Sequence, residues 1–182
     1  REIDILVGTQ MIAKGHDYPF ITLVGILTAD ASLHQPNFRA GEETFQMVTQ
    51  VAGRAGRANL AGQVFLQTFS KAHFSLEYAA QFETKKFYER ELEYRAELHY
   101  PPFNRLISVR IQGPQLEKVQ QTASWLKEFL ESRKTGGVQI LGPSPCLIER
   151  IRNNYRWQIL IKGNALEFLK VSLKAEILSK KL

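Results

Sequence analysis

Apolar positions in the first part of the chain fall into short runs between polar stretches. Ile3 to Val7, Ile21 to Leu27 and Val64 to Leu66 have the length and continuity of strands, whereas Glu42 to Ala52 carries Phe45, Val48 and Ala52 at helical spacing. Strands alternating with a helix predict an open α/β sheet, in which ligands gather at the carboxyl ends of the strands. That places candidate chemistry after Val7, after Leu27 and after the helix ending near Ala52. Residues 74 to 98 lack glycine and proline and mix Phe74, Tyr78, Phe82, Phe87, Tyr94 and Leu98 with dense charge, the pattern of one or two amphipathic helices. Tyr100, Pro101, Pro102 and Phe103 then predict an extended, packed linker and a domain boundary, because proline fixes its own φ and restrains the residue before it.

Beyond the prolines, Ile107, Val109 and Ile111 alternate with Ser108, Arg110 and Gln112, as a half-buried strand does. Leu116, Val119, Ala123, Leu126 and Leu130 form a helical stripe that Gly136 and Gly137 stop. A hairpin is predicted from Ile148 to Arg152 and from Tyr155 to Ile161, turning at Asn153 and Asn154, which tolerate positive φ. Leu166, Leu169, Leu173 and Ile177 mark a last helix. Strand, helix, hairpin and helix make up most of a βαββαβ ferredoxin-like unit. The chain opens inside an apolar run and stops before a final strand, so truncation at both ends is expected.

Charge divides the chain more sharply than pattern does. Residues 1–70 and 71–100 each carry a net −1, whereas residues 101–182 carry 14 basic against 6 acidic side chains, a net +8. Such an excess on about eighty residues favours polyanions, although it also aids solubility. The single Cys146 leaves no disulfide framework or thiolate zinc site within the chain. No apolar run approaches the roughly 20 residues of a membrane span. His16, His34, His73 and His99 lack metal-ligand spacing and are expected to be structural or solvated.

Two motifs carry chemistry. Gln50, Val51, Ala52, Gly53, Arg54, Ala55, Gly56 and Arg57 form a Gln-x-x-Gly-Arg-x-Gly-Arg pattern just after a predicted helix, with a chance occurrence on the order of one in ten thousand. The glycines permit close backbone approach, and the two arginines can converge on one polyanion, as phosphoryl transfer requires. The bland alternative is a pair of solvent-facing arginines on a Gly-rich turn. Thr9, Gln10 and Lys14 follow the first predicted strand and offer a hydroxyl, an amide and an ammonium to a nucleic-acid backbone, while Asp17 can accept from a ribose hydroxyl. These residues can equally be helix caps and a solvated charge.

The stretches GTQMIAKGHDYP, ITLVGILTAD and PNFRAGEETFQMVTQVAGRAGR resemble motifs V and VI of the second RecA-like lobe of superfamily 2 DNA helicases. FYERELEYRAELHYPPF and GPSPCLIERIRNNYRWQILIK narrow the resemblance to the replication-restart helicases of the primosome, over nearly the whole chain. The fold this implies is α/β: part of a RecA-like helicase lobe at residues 1–72, a helical connector and Pro-Pro linker at 73–102, and a basic α+β ferredoxin-like domain at 103–182. The implied activity, once the protein is intact, is that of an ATP-dependent 3′-to-5′ DNA helicase that recognises forks, restarts stalled replication and promotes primosome assembly in a bacterial-type cytoplasm. By position, Arg57 would be the arginine finger, with Arg54 and Gln50 contacting the nucleotide or organising that contact. Asp17, Gly15 and Gly53 would face the nucleotide, and Thr9, Gln10 and Lys14 would line the DNA track.

The resemblance further implies ATP and Mg2+ as cofactors of the intact protein, and zinc only in a cysteine-rich module upstream of Arg1. Its partners would be forked and single-stranded DNA, single-stranded DNA-binding protein and other primosome proteins, with no membrane. Asn37 and Glu42–Glu43 depart from the family pattern outside the core of motif VI, which changes local charge rather than the nucleotide contacts. The chain has no Gly-x-x-x-x-Gly-Lys-Ser/Thr loop and no Asp-Glu pair, so by itself it is not expected to hydrolyse ATP. With a turn at Asn153 and Asn154, Arg152 would oppose Tyr155 and Arg150 would oppose Trp157, giving one face on which Arg150, Arg152, Arg156 and Trp157 bind DNA. Against this stands the reading that the arginines lie over aromatic residues of the core. At the level of function the alternatives are a non-enzymatic fork-DNA-binding adaptor derived from such a helicase, and another translocase of the superfamily.

Overall fold

A computed structural model describes residues 4–9, 20–56 and 61–180. The architecture is mixed α/β, with two small sheets and five helices among the described residues. The chain divides into two compact units, residues 1–93 and 94–182.

In the first unit, β1 (Leu23–Ile26) and β2 (Gln63–Leu66) pair in parallel, and α1 (Ala40–Ala52) makes the crossover between them. Parallel strands cannot be joined by a tight turn, so the chain must return along a helix before re-entering the sheet. α1 buries Phe45, Val48 and Ala52, at the spacing its sequence predicts. Phe45 stacks on Phe87 of α3 (Thr84–Glu97) with ring centroids 4.0 Å apart, and Leu76 and Ala79 of α2 (Phe74–Ala80) close the core. The strand expected at Ile3 to Val7 does not form over its described part: residues 4–9 carry no strand, and Ile5 and Val7 are 81% and 86% exposed. A strand persists where a ladder partner exists, and among the described residues β1 and β2 pair only with each other.

Two polar contacts fix the loops of this unit. Asp30 is buried and accepts the Phe69 amide at 2.9 Å, joining the segments that leave β1 and β2. Burial opposes its charge, but hydrogen bonding, first from the Phe69 amide, outweighs it and holds the carboxyl below its usual range. His73 caps α2, its Nδ1 accepting the Ser75 amide at 3.2 Å. Burial, aided by His34, holds the imidazole below its ordinary 6.5.

In the second unit the prolines form a turn rather than the extended linker their sequence suggests. The Phe103 and Asn104 amides both donate to the Tyr100 carbonyl, at 3.0 and 3.3 Å, so the chain folds back on itself. β3 (Arg105–Gly113), α4 (Leu116–Arg133), β4 (Gln139–Ile151), β5 (Asn154–Gly163) and α5 (Glu167–Lys180) follow, and the sheet order is β3-β5-β4 with β5 antiparallel to both neighbours. This split β-α-β arrangement, followed by a helix, is the part of the βαββαβ pattern that the sequence predicts. α4 and α5 supply Leu126, Leu130, Leu169 and Leu173 to one face of the sheet, joined by Leu166 just before α5, against Ile140, Ile159 and Ile161.

Leu130 is fully buried in this core. Leu130→Ala is expected to destabilise the unit by about 2–5 kcal/mol, read as a lowered denaturant midpoint with unchanged m. The depressed His73 value means that the unfolded chain binds its proton first as pH falls. Stability is therefore complete above 6.5 and declines below it, and His73→Asn, which keeps a cap acceptor but does not titrate, should flatten that decline in thermal midpoints across pH.

Candidate functional site

The Gly-Arg motif closes the crossover of the first unit. Gln50 is exposed in the last turn of α1, Gly53 is the C-cap, and Arg54 is half-buried in the turn that follows. Successive amides tie this turn down: Gly53 donates to the Thr49 carbonyl at 3.0 Å, Arg54 to Val51 and Ala55 to Ala52, both at 3.1 Å. Gly56 takes φ +76°, open to glycine at little cost, and donates its amide to the carbonyl of Ile21 at 3.1 Å. Ile21 precedes β1, and the Gln63 amide at the start of β2 bonds Thr22 beside it at 2.8 Å. The motif therefore lies at the amino ends of β1 and β2, not at the carboxyl ends where the sequence analysis put it. The reason is topological: a crossover helix runs back along its strand and delivers the chain to the start of the next one.

Of the other residues expected to serve this site, Thr9 is exposed outside any strand or helix. Gln10, Lys14, Gly15, Asp17 and Arg57 lie outside the described residues. The segment that contains the first four leads directly to Phe20 and Ile21, the point to which Gly56 is bonded. Among the described residues, no group of three His, Cys, Asp or Glu side chains is placed to hold a metal ion. No helix among the described residues is long and apolar enough to cross a membrane.

Sequence reasoning passed over Gly62. A Cβ at that position would fall 2.2 Å from the Gly56 nitrogen and 2.5 Å from the Ala55 carbonyl carbon, so the backbones of the motif turn and the entry to β2 touch. A glycine a few residues beyond a Gly-rich turn was the available signal.

In the second unit the hairpin turns at Arg152 and Asn153, both with positive φ (48° and 63°), one residue earlier than expected. A two-residue turn of this kind needs positive φ at both central positions, and Asn154 is instead drawn into the ladder opposite Ile151. The shift rewrites the expected pairs. Arg150 opposes Tyr155 and holds its guanidinium 4.8 Å from that ring's centroid, while Trp157 opposes Pro145 across a bulge. Because strand residues alternate in facing, Tyr155 and Trp157 share the helix-covered side with Ile159 and Ile161, and Arg156 points to the other side. Trp157 is half-buried, and its indole nitrogen is buried without a hydrogen-bond partner. Arg150, Arg152 and Arg156 are thus divided among the helix side, the tip and the open side of the hairpin.

A basic split β-α-β domain is thus preceded by a parallel crossover bearing two glycines and an arginine on its closing turn. Residues 96–181 match the family model for the primosomal protein N C-terminal domain. Over 159 residues, 87% of its length, the chain is 45% identical to replication restart protein PriA of Bacillus subtilis (strain 168), covering 20% of that protein. It is 41% identical over 175 residues to replication restart protein PriA of Synechocystis, and 41% identical over 162 residues to that of Treponema pallidum. These matches take in 96% and 89% of the chain, and 21% and 25% of those relatives. Residues 96–181 thus carry the primosomal protein N C-terminal domain, and most of the chain is similar to replication restart proteins PriA. The chain spans between a fifth and a quarter of the length of these relatives.

Gly62→Ala forces two backbones apart, which no rotamer change relieves. It is expected to lower the thermal midpoint and to cost about 1–3 kcal/mol, whereas Gly136→Ala, with no atom within 4 Å of the new Cβ, should leave the midpoint unchanged.

Proposed function

We propose that the chain is part of an ATP-dependent 3′-to-5′ DNA helicase that restarts stalled replication by recognising fork DNA and promoting primosome assembly. The observation that carries this is the Gln50 to Gly56 turn, pinned through Gly56 to the entry of β1 in a protein related to replication restart proteins. Residues 1–72 act as part of a RecA-like lobe. Leu23 and Phe65, 59% and 62% exposed on the face of β1 and β2 away from α1, support that reading, since parallel sheets are normally covered on both faces.

In this role Arg57, next in sequence after the tied turn, supplies the always-charged guanidinium that meets the charge developing on the γ-phosphate. Arg54 and Gln50 hold that group in place, and Gly53, Gly15 and Asp17 let the backbone and a carboxylate approach the nucleotide. ATP, bound with Mg2+ by residues of the whole protein, supplies the phosphoryl group whose transfer to water drives movement. Thr9, Gln10 and Lys14 hold the backbone of the tracked strand, while zinc serves a separate module of the intact protein. Residues 103–182 dock DNA and bind other primosome proteins and single-stranded DNA-binding protein. In the intact protein, Arg57→Ala is expected to lower ATP turnover by ~10³-fold or more while leaving DNA affinity unchanged. Retained turnover would refute the arginine-finger role.

A further inference from the structure

The sheet of the second unit has a face that none of that unit's elements covers among the described residues. α4 and α5 pack on the side carrying Ile107, Val109, Ile111, Ile159 and Ile161. Alternation sends Ser108, Arg110 and Gln112 of β3, Arg156 and Gln158 of β5, and Ser144 of β4 to the other side, with Leu106, Leu141, Leu160 and Lys162 at its far end. Ser108, Arg110, Gln112 and Ser144 are exposed, and Arg156 and Gln158 are half-exposed. In register, Arg110 faces Gln158 and Gln112 faces Arg156, so the two arginines sit on a diagonal of one four-residue patch. Their Cβ atoms are about 7–8 Å apart, a gap two long guanidinium side chains close onto one phosphate or spread over adjacent ones.

Three features choose the occupant. No paired position on this face is acidic, so neither arginine has a carboxylate directly across the ladder. Arg156 is lightly held, by one bond at 3.4 Å to the Ile148 carbonyl, whereas Lys162 is committed to the Leu98 carbonyl at 3.0 Å and lies 4.9 Å from the Tyr100 ring. The four-residue patch also carries no aromatic side chain, because Tyr155 and Trp157 lie on the helix side and the Tyr100 ring stands by Lys162, four residues along β5 from Gln158. A platform for single strands needs rings on which bases stack. The patch of Arg110, Gln112, Arg156 and Gln158, which offers cations and amides and no ring, instead suits duplex DNA, whose bases are already stacked and whose phosphates lie outermost.

We infer that the open β3-β5-β4 face, through Arg110 and Arg156 with Gln112 and Gln158, is a sequence-independent docking surface for the phosphate backbone of duplex DNA. This rests on the reading that the protein works on DNA. The test titrates the intact protein with a labelled mixed-sequence duplex and an oligothymidine of equal length over a salt series. Arg110→Ala/Arg156→Ala is compared with Lys118→Ala on α4, and equal thermal midpoints establish that each variant is folded. Losing two phosphate contacts should reduce the slope of log affinity against log salt by about 1.8 for the duplex. The same change should weaken duplex binding at least tenfold, with a smaller effect on oligothymidine and none from Lys118→Ala.

Gln112→Glu/Gln158→Glu, which keeps both arginines but puts carboxylates between them, should lose duplex affinity as well. An unchanged duplex slope in both face variants, an equal loss from Lys118→Ala, or a larger loss on oligothymidine would each overturn the inference. Absence of DNA binding by the unaltered protein would instead refute the parent reading along with it.

Discussion

Strand β5 is paired along both edges, and the fixed alternation this imposes sends each of its side chains to one side or the other. Ile159 and Ile161 face α4 and α5 and form one buried cluster with the leucines of those helices. Once those two are fixed, Tyr155 and Trp157 go to the core side, and Arg156, Gln158 and Lys162 go to the open side. β3 inherits the same division through its antiparallel register, from Arg105 opposite Gly163 to Gly113 opposite Tyr155. Burial of about ten apolar side chains thus sets the position of the basic ones. The electrostatic character of the exposed face is a by-product of where the hydrophobic effect needs the other face to be.

A different constraint governs the first unit. Parallel pairing of β1 and β2 requires α1, and the length of α1 delivers its C-terminal turn to the amino edge of the sheet. Gly56 and Gly62 let that turn and the entry to β2 lie in backbone contact, so a rigid sheet edge positions a Gly-rich arginine loop. Apolar packing of Phe45 on Phe87, and the amide held by buried Asp30, keep the helix and the loops at the opposite edge from shifting. The motif is therefore supported both by its own backbone hydrogen bonds and by packing at a distance.

Helices α1 and α4, both halves of the helical stretch 74–98, and strands β1, β2, β3 and β5 were legible, because their apolar spacing is a local property of consecutive residues. The misreadings share a cause. Ile3 to Val7 has the composition of a strand, but a strand is a pairwise object and requires a neighbour. Two prolines restrict φ, yet the hydrogen bonds that the Tyr100 carbonyl accepts from Phe103 and Asn104 decide that they turn. Asn153 and Asn154 both tolerate positive φ, and local preference could not choose between them and Arg152.

The sequence by itself determined the elements, the +8 excess of the last eighty residues and the Gly-Arg motif, since each depends only on which residues follow one another. Only the tertiary structure decided at which edge that motif stands, on which side of the sheet each arginine lies, and that Arg110 and Arg156 share a patch. Those outcomes depend on strand register and helix direction. A shift of one residue moves a side chain to the opposite face, and register is fixed by contacts between segments far apart in the chain.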